Sequence, residues 1–93
     1  MEQPGVYILQ SIKNDRYYIG STADVERRLR EHNIGKVPST KNLRPLILKV
    51  FVKCKNLTEA KNSEYRLKQY KRRDIIERLI EDSIFPWDYI SPG

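Results

Sequence analysis

Two tyrosines, an arginine, a histidine and a glutamate have the types and spacings that acid–base and metal chemistry require. Tyr7 and Tyr18 fall on two neighbouring predicted strands, and Arg28 and His32 are four residues apart, hence on one face of a predicted helix. Glu64 falls at an apolar position of a later predicted helix, where an isolated carboxylate would be costly to desolvate. A glutamate at such a position must be paired, hydrogen-bonded or bound to a metal ion.

Each of these features also has a purely structural interpretation. The two tyrosines would stabilise a hairpin as a cross-strand pair, and Tyr17 competes with Tyr18 for this role because neighbouring side chains on a strand alternate between faces. The Arg–His pair could belong to a solvated charged stripe. Glu64 could form a salt bridge with one of the many basic residues. The pattern alone leaves both interpretations open.

Taken together, these side chains suit the hydrolysis of a phosphodiester bond. A metal ion neutralises the phosphate, and one carboxylate can anchor that ion. An arginine stabilises charge that develops on the phosphorus oxygens, and a histidine or tyrosine can accept a proton from the attacking water. The sequence contains no His/Cys zinc spacing, no nucleophile-elbow motif and no phosphate-cradling glycine loop, which are the signatures of competing chemistries.

The balance of charges favours a polyanionic partner. The 93 residues include 18 Lys and Arg against 12 Asp and Glu, and the formal net charge is +6. A basic surface of this kind is typical of nucleic-acid binding, although charged side chains also serve simply as a solvated surface. The residues that we predict to bind nucleic acid are Lys36, Lys41, Arg44, Lys68, Lys71 and Arg72.

The cysteine count and the hydropathy pattern predict a cytoplasmic protein without a membrane partner. Cys54 is the single cysteine, so an intramolecular disulfide framework is excluded. No apolar run approaches the roughly 20 residues that span a bilayer. The N-terminal residues lack the basic and apolar regions of a signal peptide.

Hydrophobic periodicity and turn residues predict three strands and three helices. We expect strands at residues 5–12, 16–20 and 46–53, the first two joined as a hairpin. Ser21 or Thr22 is predicted to cap the first helix, which runs to about residue 33 and stops near Gly35. Thr58 is predicted to cap the second helix, with Leu57 as its hydrophobic staple. A break at residues 72–74 precedes an amphipathic third helix with the apolar residues Ile75, Ile76, Leu79 and Ile80.

This order predicts an α+β fold. We expect a small, mainly antiparallel three-stranded sheet flanked by helices, in the order β-β-α-β-α-α. Residues 1–82 are predicted to form one domain and residues 83–93 a C-terminal tail. The tail carries Phe85, Trp87 and Tyr89, and it could pack back on the domain or form a loose arm.

Several motifs in this order resemble the GIY-YIG nuclease superfamily. The first tripeptide reads GVY at residues 5–7, and the second reads YIG at residues 18–20, followed by STADVERRLREH at residues 21–32. A Ser-Thr-Lys loop at residues 39–41, the segment RPLILKVF and the helix EAKNSEYRLK at residues 59–68 complete the pattern. The resemblance covers residues 5–79, and the chain looks most like the small stand-alone members that are related to the N-terminal nuclease domain of the excinuclease C subunit.

The resemblance implies a role for each matching residue. Tyr7 and Tyr18 correspond to the two motif tyrosines, which lie near the scissile phosphate and help to activate water. Arg28 corresponds to the arginine that stabilises the transition state, and His32 to the residue that assists proton transfer. Glu64 corresponds to the single glutamate that binds the metal ion, usually Mg²⁺ or Mn²⁺. Gly20 corresponds to the glycine that lets the backbone approach closely.

The resemblance implies that the protein is a metal-dependent endonuclease that hydrolyses DNA. It is expected to select DNA structure or damage rather than sequence, in repair or recombination, and RNA is not excluded as a substrate. Two alternatives come from other functional classes. One is a nucleic-acid-binding module with a vestigial nuclease site, and the other is a recruitment domain that binds a protein partner through its third helix or its tail.

Overall fold

The computed structural model describes residues 2–88 and has the predicted α+β architecture. Three strands and three helices follow one another in the order β-β-α-β-α-α, which confirms the predicted order. The elements are β1 (Gly5–Ser11), β2 (Tyr17–Thr22), α1 (Val25–Asn33), β3 (Leu46–Lys53), α2 (Leu57–Lys68) and α3 (Arg73–Asp82), with short 3-10 turns at Lys41–Leu43 and Pro86–Asp88.

The sheet is antiparallel and has β1 at its centre, in the strand order β2-β1-β3. The hairpin register pairs Tyr7 with Gly20 and Leu9 with Tyr18. Because directly paired residues of an antiparallel ladder project to the same face, Tyr18 shares its face with Leu9 and Tyr7. The register therefore settles which of the two adjacent tyrosines accompanies Tyr7.

Helices cover both faces of the sheet. Val6 and Ile8 of β1 pack in one core with residues of α2 and α3, whereas Tyr7 and Leu9 pack in a second core against α1. The alternation of side chains along the central strand thus assigns α1 to one face and the other two helices to the opposite face. Any site that combines residues of α1 and α2 has to reach around an edge of the sheet.

The start of the first helix differs from the prediction. The structure extends β2 to Thr22, which pairs with Gly5, so neither Ser21 nor Thr22 caps the helix. Asp24 is the N-cap, and its carboxylate accepts a hydrogen bond from the backbone N–H of Arg27. The strand continues through Ser21 and Thr22 because their backbones pair with β1, although the local sequence predicts both residues as helix caps.

The second helix also starts earlier than predicted. Asn56 is the N-cap and accepts a hydrogen bond from the backbone N–H of Glu59, so the predictions of Thr58 as cap and Leu57 as staple were wrong. Leu57 is the first residue of the helix instead. Asn and Thr are both good caps. The position at which β3 and the following turn end decides which of the two begins the helix.

The connection between α2 and α3 lies slightly before the predicted break. The second helix ends at Lys68, and Lys71 in the connection has a φ of 52°, a left-handed conformation that no continuous helix contains. In α3, Ile76 and Leu79 are buried in the core of the domain. The apolar side of this helix, which suggested a protein partner, is therefore largely covered by the domain itself.

Part of the predicted tail contributes to the core. Phe85 is buried among the residues of the α2–α3 core, and its ring stacks on Trp87 with centroids 4.7 Å apart. Of the two arrangements that the sequence left open, the described part of the tail packs back on the domain. Tyr89 lies outside the described residues, and the boundary at residue 82 stays a prediction.

Candidate active site

Tyr7 and His32 form the centre of the candidate site. Tyr7 lies on the central strand and His32 in the last turn of α1, and both side chains are almost completely buried, at 2% and 0% exposure. A hydrogen bond of 2.8 Å joins the Tyr7 hydroxyl to Nε2 of His32. The pair brings a phenol and an imidazole into direct contact at the place where the helix crosses the sheet.

The other ring nitrogen of His32 contacts a residue that the sequence analysis did not assign to the site. Nδ1 lies 2.7 Å from the hydroxyl oxygen of Thr40, which is fully buried in the loop after α1. Thr40 is in turn anchored by its backbone N–H, which donates to the carbonyl of Val37. The sequence marked Thr40 only as part of a motif loop, and no local pattern indicates that its hydroxyl meets a histidine eight positions earlier.

Tyr18 completes an aromatic group with Tyr7 and His32. Its ring centroid is 5.0 Å from that of His32 and 6.4 Å from that of Tyr7. Tyr17 projects to the opposite face, where the Arg73 guanidinium lies 4.4 Å from its ring centroid. The structural interpretation of the tyrosine pair is thus partly correct, because the rings do pack together, yet they pack around a histidine.

Burial sets the protonation states of the central pair. Desolvation raises the pKa of Tyr7 to about 12, and a hydrogen bond from Arg28 opposes this rise. Desolvation also lowers the pKa of His32 to about 4, with a further contribution from the positive charge of Arg28. His32 is consequently neutral at pH 7, so one of its two ring nitrogens is a hydrogen-bond acceptor.

Arg28 connects the pair to the acidic side chains of α1. Its hydrogen bond with Tyr7 is the largest contribution to its raised pKa, so the guanidinium stays charged. On its other side it forms a 3.0 Å ion pair with Glu31, and this contact lowers the pKa of the Glu31 carboxyl. The predicted Arg28–His32 pair therefore lies on one helix face as expected, with both residues directed at Tyr7.

Glu64 reaches the same region from α2, on the other face of the sheet. Its carboxylate accepts a 2.5 Å hydrogen bond from the hydroxyl of Ser21 on β2 and pairs with the ammonium group of Lys68 at 2.5 Å. Its negative charge acts on the Tyr7 hydroxyl and contributes to the raised pKa of that group. The salt bridge that the sequence analysis kept as an alternative is present, and it occupies one carboxylate oxygen.

Gly20 of β2 pairs with Tyr7 of β1, and the Tyr7 ring fills the space that a side chain at residue 20 would occupy. A Cβ atom at this position would overlap the end of the Tyr7 ring and its hydroxyl, with the ring atom Cε1 at only 2.9 Å. The family resemblance implies a glycine that permits close backbone approach. In the structure the group that approaches is the tyrosine ring itself, so Gly20 sets the position of the Tyr7 hydroxyl.

The oxygen groups near Glu64 suit a hard divalent cation that also binds substrate. Within residues 2–88 no three His, Cys, Asp or Glu side chains are grouped as metal ligands. Glu64 and the adjacent Ser21 hydroxyl are oxygen donors, and Mg²⁺ is commonly held by one or two carboxylates together with water and substrate phosphate. The donor set fits such an ion, provided that Lys68 releases the carboxylate.

The predicted cationic residues fall into separate groups. Lys41 and Arg44 line an open cavity of about 510 Å³ together with Lys13, beyond the His32 end of α1. Lys36 is exposed in the same loop region. Lys68 is the one that contacts Glu64, and Lys71 and Arg72 lie in the α2–α3 connection, where Arg72 pairs with Asp74 at 2.6 Å.

We also find that none of the helices within residues 2–88 is long and apolar enough to cross a membrane.

Comparison with known proteins places this architecture in a defined family. Residues 3–77 match the GIY-YIG catalytic domain. The chain therefore belongs to the GIY-YIG family of nucleases, whose members act on nucleic acids and generally use divalent metal ions. The match confirms the resemblance inferred from the motifs.

Several relatives match the chain over most of their own length. A UPF0213 protein of Halobacterium salinarum is 37% identical over 72% of this chain and 87% of its own length. A UPF0213 protein of Staphylococcus haemolyticus is 34% identical over 82% of this chain and 93% of its own. A third, from Oceanobacillus iheyensis, is 37% identical over 86% and 92% of the two chains. No solved structure gives a significant match.

Proposed function

We propose that the protein is a metal-dependent endonuclease that hydrolyses a phosphodiester bond in DNA, with Tyr7, Tyr18, Arg28, His32 and Glu64 as its catalytic residues. The observation that carries the proposal is the 2.8 Å contact between the Tyr7 hydroxyl and a neutral, buried His32. A phenol next to a neutral imidazole is a proton-accepting pair, and hydrolysis needs such a pair to activate water.

The positive charge of Arg28 supports the assignment. The guanidinium and the Tyr7 hydroxyl shift each other's pKa, so the positive charge also acts on any phosphate that Tyr7 contacts. Attack of water on phosphorus forms one P–O bond and breaks another, and negative charge accumulates on the phosphate oxygens between the two events. An arginine held in place before the reaction stabilises that charge without reorganisation.

A divalent cation held by Glu64 would neutralise the phosphate and polarise the bond that breaks. Glu64 then has the role of holding the ion, and the Ser21 hydroxyl orients one of its carboxylate oxygens at 2.5 Å. We propose Mg²⁺ or Mn²⁺ for this ion because the available donors are oxygens.

The proposed substrate is DNA that the protein selects by structure or damage. The cations at Lys36, Lys41 and Arg44 would contact phosphates, which carry little sequence information. We place the activity in DNA repair or recombination in the cytoplasm. RNA is the alternative substrate, and the two are compared directly in the experiment below.

The test is a cleavage assay with linear, nicked, flapped and four-way DNA and matched RNA, in Mg²⁺ or Mn²⁺, for wild type and Glu64→Gln. Glu59→Gln on the same helix is the control, because a Gln can still accept the hydrogen bond that Glu59 receives from the backbone of Lys55. We expect wild type and Glu59→Gln to cleave, a chelator to stop both, and Glu64→Gln to bind DNA without cutting it.

Binding without cleavage by wild type in either metal would contradict the proposal and would favour the nucleic-acid-binding module with a vestigial site. Cleavage by Glu64→Gln at the wild-type rate would overturn the assignment of Glu64. DNA affinity measured without metal completes the comparison, since removing a negative charge beside the phosphate should leave this affinity equal or higher.

A further inference from the structure

Thr40 is a buried hydroxyl that the proposed reaction does not use directly. Its side chain has 0% exposure and lies 2.7 Å from Nδ1 of His32. We propose that Thr40 is a positioning residue that holds His32 in the tautomer with hydrogen on Nδ1, leaving Nε2 as the acceptor for the Tyr7 proton. The effect on cleavage rests on the proposed function, whereas the effect on the tautomer does not.

The Thr40 hydroxyl contacts both the His32 ring and the backbone of Val37. This group lies 3.4 Å from the carbonyl oxygen of Val37, which can only accept a hydrogen bond. A hydroxyl hydrogen directed at Val37 leaves the lone pairs of Oγ1 for the much shorter contact with His32. Oγ1 accordingly accepts a hydrogen bond from Nδ1–H.

Nε2 of His32 contacts the Tyr7 hydroxyl. A neutral imidazole carries one N–H, so a hydrogen on Nδ1 leaves Nε2 as an acceptor. The Tyr7 hydroxyl, 2.8 Å away, then donates to it. The Arg28 guanidinium also lowers the pKa of Tyr7, and since a guanidinium can only donate, it favours the arrangement in which the Tyr7 oxygen faces Arg28 and the Tyr7 hydrogen is directed at His32.

The opposite tautomer satisfies these groups less well. With hydrogen on Nε2, both His32 and Arg28 would donate to the Tyr7 oxygen, and the hydrogen of a 2%-exposed tyrosine would lose its acceptor. A buried donor without a partner is costly. Among the described residues no buried side-chain nitrogen or oxygen lacks a hydrogen-bond partner. The Nδ1–H tautomer is consistent with this, because it gives His32, Thr40 and Tyr7 a partner for each hydrogen.

The tautomer matters because it sets the direction of proton transfer. As water attacks phosphorus, the proton of the water passes to the Tyr7 oxygen while the Tyr7 O–H bond breaks and its proton bonds to Nε2. No free phenolate has to form in this concerted transfer, which matters because burial raises the pKa of Tyr7 to about 12. The Nδ1–H bond to Thr40 is kept throughout, so Thr40 stabilises both the neutral ring and the imidazolium that results. In the other tautomer Nε2 already carries a hydrogen and cannot accept.

The experiment is long-range ¹H–¹⁵N correlation NMR of the single histidine, for wild type, Thr40→Val and Thr40→Ser, with Tm measured for each. Valine keeps the shape of threonine and lacks the hydroxyl, and serine keeps the hydroxyl. We expect the Nδ1–H tautomer in wild type and Thr40→Ser, and a mixture of tautomers in Thr40→Val. Thr40→Ala takes the place of Thr40→Val if the valine protein does not fold.

Cleavage rates are measured for the same proteins. We expect Thr40→Val to lose at least about tenfold and Thr40→Ser to stay near wild type, since a positioned acid–base group is worth roughly 100-fold or more. A wild-type spectrum with hydrogen on Nε2, or an unchanged tautomer in Thr40→Val, would overturn the role of Thr40. Wild type that shows the Nδ1–H tautomer and cuts no substrate would defeat the proposed function alone.

Discussion

The ring of Tyr7 lies against Gly20, directly across the β1–β2 ladder, in the space that any side chain at residue 20 would fill. This contact determines where the Tyr7 hydroxyl lies relative to His32. It also means that Tyr7 of the first motif can pack in this position only if residue 20 of the second motif is a glycine. The two motifs are coupled through a single cross-strand pair.

Replacement of Gly20 by alanine should displace the Tyr7 ring. We expect a loss of about 1–3 kcal/mol in the free energy of unfolding, the usual cost of overpacking, and a large loss of cleavage. Urea denaturation and cleavage rates measure both. The control is the same substitution in a Tyr7→Leu background, where the shorter side chain does not reach Gly20. An equal destabilisation in both backgrounds would contradict the proposed contact.

Removal of the hydroxyls of Tyr7 and Tyr18 should affect cleavage far more than folding. In Tyr7→Phe and Tyr18→Phe the rings and their packing around His32 remain. We expect Tm close to wild type for Tyr18→Phe and a loss of about 1–3 kcal/mol in the free energy of unfolding for Tyr7→Phe, because Nε2 of the buried His32 loses its partner. Cleavage should fall about 100-fold or more, as is usual for positioned acid–base groups. Tyr65→Phe, at a 70%-exposed position, serves as control. Full activity of both variants would remove these hydroxyls from the site.

Stability should fall as the pH drops from about 6.5 to about 4. Burial lowers the pKa of His32 from 6.5 to about 4, so in this range the unfolded chain binds a proton that the folded protein does not. The contribution of His32 to the free energy of unfolding is fully present above pH 6.5, and it decreases by at most about 3 kcal/mol by pH 4. Urea denaturation at pH 7.5 and 5 measures it. Because the chain has one histidine, His32→Gln should lose most of this dependence, and an unchanged dependence would exclude His32 as the cause.

Lys68 should compete with the metal ion for Glu64. Its ammonium group contacts one carboxylate oxygen of Glu64 at 2.5 Å. Because both side chains are partly exposed, breaking this ion pair to admit a metal ion costs little free energy. We expect Lys68→Gln to bind Mn²⁺ about two- to fivefold more tightly by calorimetry, since exposed pairs contribute up to about 1 kcal/mol. Lys61→Gln, exposed on the same helix, is the control. Equal affinity of Lys68→Gln and wild type would show that metal binding does not require Lys68 to move.

Neutralising the cations after α1 should flatten the salt dependence of DNA binding. If Lys36, Lys41 and Arg44 contact phosphates, each contact contributes about 0.9 to the slope of log K against log salt. We therefore expect the triple Gln variant to have a shallower slope in titrations from low to moderate salt. Replacing the exposed Lys53, the last residue of β3, and Lys55, two positions further on, tests whether overall charge alone explains the change. An unchanged slope would place the DNA elsewhere.

The sequence by itself determined the elements and most of their faces. The apolar periodicities predicted β3 at its observed bounds. Val25, Leu29 and His32, which helical spacing puts on one face of α1, pack toward the sheet. Gly35, the predicted end of that helix, has a φ of 85°, which a glycine adopts without strain. These features depend on neighbours within a turn or two along the chain, so local patterns suffice to reveal them.

Only the tertiary structure decided which groups meet. The pairing of β1 with β2 selected Tyr18 over Tyr17, extended β2 through the predicted caps and placed the Tyr7 ring over Gly20. The contacts of Thr40 with His32 and of Ser21 with Glu64 join residues that no local periodicity relates, the second pair 43 positions apart. The physical reason is that strand register and helix docking are set by burial of the whole sheet, and only then do side chains from distant segments come within hydrogen-bonding distance.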